Sequence, residues 1–431
     1  MIEREDAYAT VVTPWGQASE LRQRRLYPGG GATPDEVARN QRERLFGAIV
    51  AVVAKKGYEA TTVADVLALS GVSRSAFYRH FSGRSDCLAS AVSELLPPAL
   101  RALDPLQEDG RKREPSEVFE GFFELLSSEP AAARVCFVEL HAAGAEGEAV
   151  GDRAFEAIVQ AVEDLIGEAG DPELRRAIVG GIRKLVHTRL CRGEEAELVG
   201  LAPQLWQWVM TVSPPLRPLD RPRRQRTAGG PRFEGYTPAE RIARAVASVV
   251  AEKGYQEMTT DDIAAEAAIS LSTFYAHFKD KRDAMLAALE MSGAQITALA
   301  TPAARRAASW EEGVRALYEA ICAYFAAEPA MAQLTLVGVY AAGPRACARR
   351  DRVIDSLTAM LAPGFAENPA VPAVSAEAIG ATVYALMGDR VRRGGTENLG
   401  SVVPIATYLT LVPFTGPERA LAVANGEGRR R

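Results

Sequence analysis

The sequence predicts an all-α fold built as a tandem pair of similar subunits, each with an N-terminal helix-turn-helix domain of three helices and then a larger helical bundle. Three observations support this prediction: a long internal repeat, clear helix start signals, and apolar residues spaced at the helical period. The 431 residues, 48% apolar and 24% charged, are enough to form two or more hydrophobic cores.

The repeat becomes visible when the sequence is shifted against itself by 197 places. Residues 43–91 then align with 240–288, and 20 of these 49 positions are identical. The match continues at 127–144 with 326–343 and at 177–193 with 378–394, at shifts of 199 and 201. The repeated unit is therefore a whole subunit of roughly 200 residues.

Each repeat opens on the same helix start signal. Thr33-Pro34 and Thr237-Pro238 offer an N-cap threonine and a proline at the first helical position, and a glutamate follows for a capping box. Seven more residues separate Thr33 from the shared pattern than separate Thr237. We expect about two extra turns in the first opening helix, or a short helix before it.

Two short helices follow the opening helix in each repeat. A lysine-glycine pair ends the opening helix, and Thr62 and Ser73 are N-caps for the second and third helices. Thr259 and Ser270 stand at the equivalent positions. Two short helices joined by a turn of three to four residues, beneath a longer first helix, form a helix-turn-helix.

The third helix has the sequence "SRSAFYRHF" at 73–81 and "SLSTFYAHF" at 270–278. Phe77 and Phe81 are four residues apart and share one face, which we expect to be buried, as for Phe274 and Phe278. The polar residues project from the other side. The N-terminal part of a recognition helix faces base edges in the major groove, and residues further along reach phosphates.

The DNA-contact candidates are the polar residues of the two short helices and their flanks. Arg74 and Ser75 are placed for base edges, and Tyr78, His80 and Arg84 for phosphates. The full set is Thr62, Ser73, Arg74, Ser75, Tyr78, Arg79, His80 and Arg84 in the first repeat, and Thr259, Ser270, Ser272, Thr273, Tyr275, His277 and Lys281 in the second.

Plainer interpretations exist for some of these residues. His80 and His277 could simply cap or pack, since no ligand set for a metal lies near them and no metal site is predicted. Arg74 and Arg79 could belong to a solvated helix face. Arginines in the segment between the repeats, at 221, 223, 224 and 226, are solubilising unless they enter a minor groove.

The segments "KKGYEATTVADVLALSGVSRSAFYRHFSGRSDCL" and "EKGYQEMTTDDIAAEAAISLSTFYAHFKDKRDAML" resemble the DNA-binding region of TetR-family bacterial transcription regulators. The glycine-tyrosine pair, the threonine helix start and the Phe-Tyr-x-His-Phe run carry the resemblance. It implies an all-helical subunit whose second part binds an effector and dimerises through its last two helices. Those helices would be about 173–193 with 199–213, and 375–393 with 399–412.

The resemblance and the repeat together divide the sequence into seven segments. We expect a flexible basic arm (1–33), a first helix-turn-helix DNA-binding domain (34–98), a first regulatory helical bundle (99–213), a Pro/Arg-rich linker (214–236), a second helix-turn-helix DNA-binding domain (237–299), a second regulatory helical bundle (300–416) and a tail (417–431).

Aromatic residues in the bundles are core residues by default, but polar tips inside an apolar bundle also suit a small-molecule pocket. His141 and Tyr340 occupy equivalent positions, as do Phe119 and Tyr318. The candidates for a ligand site are Phe119, Phe123, Phe137, His141, Tyr318, Tyr324, Phe325 and Tyr340.

Several classes of protein are excluded or disfavoured by composition. No stretch approaches the roughly 20 uninterrupted apolar residues of a membrane span, and the N-terminus lacks the pattern of a signal peptide, so we expect a cytoplasmic protein. Five scattered cysteines indicate neither a zinc site nor disulfides. No nucleophile elbow or phosphate loop appears, so neither an enzyme nor a cofactor is predicted.

The two helix-turn-helix DNA-binding domains, here called heads, differ in charge. Residues 33–100 hold 8 Lys or Arg against 7 Asp or Glu, whereas residues 237–299 hold 6 against 9. We therefore expect a ligand-responsive DNA-binding regulator, a repressor, that acts as a covalent pseudo-dimer on an asymmetric operator. The partners would be double-stranded DNA and an unknown small-molecule effector, with no membrane partner. Further dimerisation of the pseudo-dimer stays open. The alternative is a regulator or interaction protein in which only the first helix-turn-helix binds DNA.

Overall fold

A computed structural model describes residues 8–26, 31–106, 110–166, 171–220 and 236–427. These ranges form an all-α fold in which the strands, β1 (Val12–Thr13) and β2 (Gly16–Gln17), make one short antiparallel hairpin. The chain divides into two compact units, residues 1–167 with 186–202 and residues 168–185 with 203–431. The linker arginines Arg221, Arg223, Arg224 and Arg226 lie outside the described residues.

The helices of the first repeat begin at the predicted caps. In chain order they are α1 (Pro34–Lys56), α2 (Val63–Ser70), α3 (Arg74–His80), α4 (Arg84–Ala102), α5 (Pro115–Ser128), α6 (Pro130–Arg134), α7 (Gly144–Ile166), α8 (Pro172–Arg192) and α9 (Leu198–Thr211). One π turn (Val135–Glu139) continues α6.

The second repeat follows the same order. Its helices are α10 (Pro238–Glu257), α11 (Thr260–Glu266), α12 (Leu271–His277), α13 (Lys281–Arg305), α14 (Trp310–Ala327), α15 (Pro329–Gln333), α16 (Pro344–Thr358), α17 (Ala362–Glu367), α18 (Ser375–Gly394) and α19 (Val402–Ala424). A π turn (Leu334–Gly338) again continues the short helix α15.

Both opening helices have the predicted capping box. Thr33 Oγ1 accepts from the Glu36 amide at 3.2 Å while the Glu36 carboxylate accepts from the Thr33 amide at 2.7 Å, and Thr237 and Glu240 repeat the arrangement. Helix α1 runs without a break from Pro34 to Lys56 and ends at Gly57, where φ is +81°. The opening helix of the second repeat ends at the equivalent Gly254, where φ is +78°, although α10 continues past this kink. The extra length before the first repeat therefore adds turns to α1 and not a separate helix.

The three helices of each head pack around one apolar cluster. In the first head Leu45, Ile49, Phe77 and Leu88 are fully buried. In the second head Phe274 is fully buried and Phe278 is half-buried against the equivalent cluster. The predicted core role of these phenylalanines is confirmed.

The interpretation of residues 1–33 as a flexible basic arm is wrong for residues 8–26. The hairpin and the turn after it pack on α1: the Trp15 ring lies 5.4 Å from the Phe46 ring, and Leu21 is fully buried. Gly47 makes room, because a Cβ there would lie 2.9 Å from Leu21 Cδ2. The hairpin strands are only two residues long, which is too short for an alternation pattern in the sequence.

The second head has a different cover at the matching place. Arg244, which stands where the first repeat has Gly47, forms an ion pair with Glu328 at 2.7 Å. Its guanidinium lies 4.3 Å from the centre of the Tyr236 ring. Arg244 thus stands at the position where, in the first head, Gly47 leaves space for residues 8–26, here called the leader.

Within the second unit, residues 172–185 of α8 pack against α18. Arg176 Nε lies 3.2 Å from Asp389 Oδ2, and Arg390 forms an ion pair with Glu173. The unit thus contains a segment of the first repeat, which differs from the expected linear division at 213. Helices α8 and α18 have nearly the bounds that the family resemblance implied.

The expected tail at 417–431 is wrong for residues 417–424. Helix α19 bends at Gly416, where φ is +75°, and continues to Ala424 with Ala420 and Leu421 buried. By length and composition the segment Thr396–Ala424 could cross a membrane, but 78% of its apolar window is buried inside the structure. That degree of burial is typical of a core helix.

Candidate functional site

The recognition helix of the first head, α3, presents the polar face that the sequence predicted. Ser73 Oγ caps the helix by accepting from the Ala76 amide at 3.3 Å. Arg74, Ser75 and Arg79 are exposed, and Tyr78 keeps 50% of its surface accessible although its ring packs edge-on against Phe77. An exposed face of this kind, next to a fully buried one, is the arrangement with which helix-turn-helix proteins read DNA.

Helix α12 presents a similar but less charged face. Ser270 Oγ accepts from the Thr273 amide at 3.1 Å and lies 2.8 Å from Ser272 Oγ. Tyr275 is 56% exposed, with its hydroxyl 3.4 Å from Thr260 Oγ1. His277 is exposed. At the positions of Arg74 and Arg79 the second head has Leu271, which is 39% exposed, and Ala276.

The predicted threonines lie at the N-terminus of the second helix of each head. Thr62 and Thr259 are exposed, and each forms a capping box with an aspartate three residues later. Burial opposes ionisation of Asp65, but hydrogen bonds from Lys56 and Thr62 lower its pKa to about 2. A capped helix N-terminus at the surface is suited to a phosphate group.

Arg84 and Lys281, predicted to contact phosphates, are instead bound to the protein's own carbonyl groups. Arg84 Nη1 donates to the carbonyl oxygens of Tyr58, at 3.1 Å, and of Thr61, and its guanidinium stacks 4.4 Å from the Tyr58 ring. Lys281 Nζ donates to the Met258 carbonyl oxygen at 2.9 Å. Carbonyl groups just after a helix end carry partial negative charge, which attracts a cation as a phosphate does.

His80 is also engaged inside the first head. Its Nε2 lies 3.2 Å from Gln41 Oε1 on α1. Burial, assisted by the charges of Arg42 and Arg79, lowers the pKa of the His80 ring. The ring is therefore neutral near pH 7 and packs, as the plainer interpretation proposed, so its predicted phosphate contact would lack a positive charge.

The turn between the two short helices differs between the heads. In the first head Gly71 adopts φ +65° and a Cβ there would lie 2.7 Å from Arg22 Cγ of the leader. In the second head Ala268 adopts φ +52°, a left-handed conformation that costs a residue with a Cβ roughly 1–2 kcal/mol. It is the one non-glycine residue with positive φ in the described ranges.

The second unit also contains a pocket, here called the cavity, that opens to solvent. Its wall is mainly apolar and includes Leu289, Ile296, Leu317, Ile321, Met360 and Met387. Of the ligand candidates, Tyr318 and Phe325 line it. Burial raises the pKa of Tyr318 to about 12, and its hydroxyl lies 2.8 Å from Thr410 Oγ1.

The other ligand candidates are placed differently. The Tyr324 hydroxyl donates to Ser292 Oγ at 3.4 Å, and the Tyr340 ring lies beneath the Arg350 guanidinium. In the first bundle the rings of Phe119 and Phe123 pack at 5.0 Å, and Phe137 and His141 are half-buried on the turns after α6. A ligand role for all eight candidates remains a prediction.

No pattern in the sequence indicated the charged residues in the wall of the cavity. Arg350 lines it, with Asp351 and Lys184 beside it. Arg350 and Asp351 lie within a charged run, "RRDR", that is typical of a solvated face. Among the described residues, no group of three or more His, Cys, Asp or Glu side chains is placed to hold a metal ion.

The two heads define a helix-turn-helix protein of the DNA-binding class. The family described as "Bacterial regulatory proteins, tetR family" matches residues 45–91 and again 242–289. Both heads therefore match the tetR-family segment, and the chain carries this match twice. The resemblance inferred from the motifs is confirmed.

A curated relative is the uncharacterised HTH-type transcriptional regulator YerO of Bacillus subtilis (strain 168), 30% identical over 80 residues. The match covers 19% of this chain and 28% of the relative's length.

Solved structures of similar fold include a fatty acid degradation regulator, FadR, from Bacillus halodurans (18% identity, TM-score 0.37, 41% of this chain and 96% of that one). Another is FadR from Bacillus subtilis in complex with stearoyl-CoA (21% identity, TM-score 0.35, 38% of this chain and 96% of that one). A third is the TetR-family regulator PfmR from Thermus thermophilus (24% identity, TM-score 0.34, 42% of this chain and 100% of that one).

Proposed function

We propose that the chain is a cytoplasmic, sequence-specific transcription regulator, a ligand-responsive repressor that acts as a covalent pseudo-dimer on an asymmetric operator. The observation that carries the proposal is the presence of two tetR-family heads whose recognition helices differ at the base-facing positions. Arg74 is suited to guanine, whereas Leu271 is suited to the methyl group of thymine.

The contact between α8 and α18 supports the pseudo-dimer. Gly181 packs on Thr382, and these two residues are equivalent in the repeat at its shift of 201. Contact between equivalent residues is expected at a two-fold interface, because the axis maps each residue onto the other. Two related repeats in one chain can form such an interface without a second chain.

The cavity in the second unit supports the response to a ligand. Its wall is apolar with few polar groups, as is usual for small-molecule sites. The B. subtilis FadR structure holds stearoyl-CoA. We propose that an effector bound here changes the affinity of the heads for DNA.

A second candidate function is favoured by the charge of the second head. With 6 basic against 9 acidic residues in 237–299 and no arginine on its recognition helix, the second head binds the phosphate backbone less strongly. In this alternative only the first head contacts DNA, and the second serves in pairing and ligand binding.

Gel-shift titration with fragments of the DNA upstream of the gene tests the proposal. We expect a specific shift that weakens with salt, as phosphate contacts require. Tyr78→Ala and Tyr275→Ala separate the two candidates. Weakening by both variants supports two DNA-binding heads, weakening by Tyr78→Ala alone supports the alternative, and absence of a specific shift refutes both.

A further inference from the structure

The cavity wall in the second unit contains a buried positive group that its neighbours do not fully satisfy. Arg350 is 4% exposed, and its guanidinium stacks between the rings of Tyr340 and Tyr384, at 4.8 and 4.9 Å. Its Nε donates to Asp351 Oδ1 at 2.9 Å, but among the described residues Nη1 has no partner that meets the geometry of a hydrogen bond. A buried donor without a partner is costly, so its retention calls for an acceptor.

Arg350 shares its carboxylate partner with a second cation. Lys184 Nζ of α8 donates to the same Asp351 oxygen at 2.7 Å, and Lys184 is also buried. Two cations thus share one carboxylate. Burial and the charge of Arg350 lower the pKa of Lys184 to about 8, so at pH 7 it is still largely protonated. Two cations beside one carboxylate at the edge of an apolar cavity would stabilise an added anion.

The arrangement is specific to the second repeat. Extending the alignment at the shift of 199 places Gly151 opposite Arg350 and Asp152 opposite Asp351. At the shift of 201, Ala385 stands opposite Lys184. The aspartate is therefore present in both repeats. Arg350 occurs only in the second repeat and Lys184 only in the first, and both lie at this one cavity.

We propose that the cavity of the second unit binds an amphiphile with an apolar chain and a single carboxylate, whose carboxylate pairs with Arg350. The proposal rests on the ligand response in the proposed function and names the chemical class of the effector. The apolar wall takes the chain, and Arg350, which lines the same wall, pairs with the carboxylate.

The cluster of Arg350, Asp351 and Lys184 also connects the ligand site to α8. A carboxylate on Arg350 competes with Asp351 for the guanidinium, and Asp351 is the residue that holds Lys184 of α8. Binding therefore changes the ion pair between α16 and α8, which is a local change in charge with an effect on helix packing. Lys184 acts here as a positioning residue.

Calorimetric titration of the full chain with dodecanoate and with dodecanol tests the proposal. The two probes share an apolar chain and differ in the charged head. We expect dodecanoate to bind at least about 10-fold more tightly than dodecanol to the unaltered chain. Arg350→Met should abolish this preference while dodecanol binding persists. Arg352→Met, on the exposed side of the same helix, should leave both affinities unchanged.

The comparison of the two probes on the unaltered chain decides the question even if Arg350→Met fails to fold. Equal binding of the two probes, or no binding of dodecanoate, would overturn the proposal. Dodecanoyl-CoA distinguishes a free acid from a thioester: tighter binding of the thioester that survives Arg350→Met would also overturn it. Gel shifts are measured separately, so loss of DNA binding would count against the proposed function and not against this site.

Discussion

Gly181 and Thr382, equivalent residues of the two repeats, lie so close that a Cβ on Gly181 would come within 2.7 Å of Thr382 Cα. The pairing requires one small residue. Two copies of the first repeat would place glycine against glycine, and two copies of the second would place threonine against threonine. The spacing therefore admits glycine against threonine but not two copies of the second repeat.

We expect Gly181→Thr to destabilise the second unit by about 1–3 kcal/mol or more, because the added side chain overpacks a close helix contact. The exchanged pair Gly181→Thr with Thr382→Gly should recover most of the loss. Gly200→Ala, on α9 with open space at its Cβ, is the control and should be neutral or slightly stabilising. Thermal unfolding measures all three, and full tolerance of the single variant would contradict the role of this contact.

Ala268→Gly should stabilise the second head by up to about 1 kcal/mol. Ala268 has φ +52°, and glycine adopts that conformation without the Cβ penalty, although its greater freedom in the unfolded chain offsets part of the gain. Gly71→Ala is the reverse change and should destabilise the first head, where Arg22 also crowds the site. Denaturant midpoints test the pair, and opposite signs are the expected outcome.

Leu21→Ala should destabilise the first unit by about 2–4 kcal/mol, because it empties a fully buried site between the leader and α1. Leu26→Ala is the matched control, since Leu26 is 41% exposed, and should change stability by less than about 0.5 kcal/mol. Equal tolerance of both changes, measured by chemical unfolding, would mean that the leader contributes nothing to the fold.

The first head should lose stability as the pH falls below about 6.5. The folded state lowers the pKa of His80, so the unfolded chain binds a proton first, and protonation then favours unfolding. Above pH 6.5 the stability that the neutral His80 ring contributes is fully present. His80→Gln can keep the contact to Gln41 without titrating, and should remove the His80 part of the pH dependence in unfolding curves between pH 7 and 5. His277→Gln, at an exposed position, is the control.

Arg74→Ala should weaken DNA binding by about 1–3 kcal/mol and relax the sequence preference of one half-site only. Leu271→Ala, at the equivalent position of the second head, should have a smaller effect, confined to the other half-site. Selection from random DNA followed by footprinting measures both. A perfect palindrome with two equally sensitive halves would show that the heads read alike despite their different residues.

Elements with local signals were predictable from the sequence. The helix starts at Pro34 and Pro238 and the caps at Ser73 and Ser270 depend on neighbouring residues alone, so the pattern was sufficient. Contacts between distant residues were not predictable. In the sequence, a basic residue after a recognition helix gives the same pattern whether it binds a phosphate or, as Arg84 does, the protein's own carbonyl groups.

The leader and the charged cavity illustrate the same limit. Leu21 is buried only because Gly47, 26 positions later, leaves space for it. Arg350 reads as a surface residue in its charged run, and only the fold encloses it with Lys184, 166 positions earlier. The alignment of the repeats held one usable signal, the substitution of Arg350 for Gly151.

Under the proposed function, the fusion of the two heads also changes how the protein responds to its own abundance. Two separate chains that must first pair occupy their site in proportion to the square of their concentration when the pair is weak, whereas two heads on one chain arrive together. Occupancy then rises with the first power of concentration. Gene dosage would therefore be translated into promoter occupancy smoothly and without a threshold, even at a few molecules per cell.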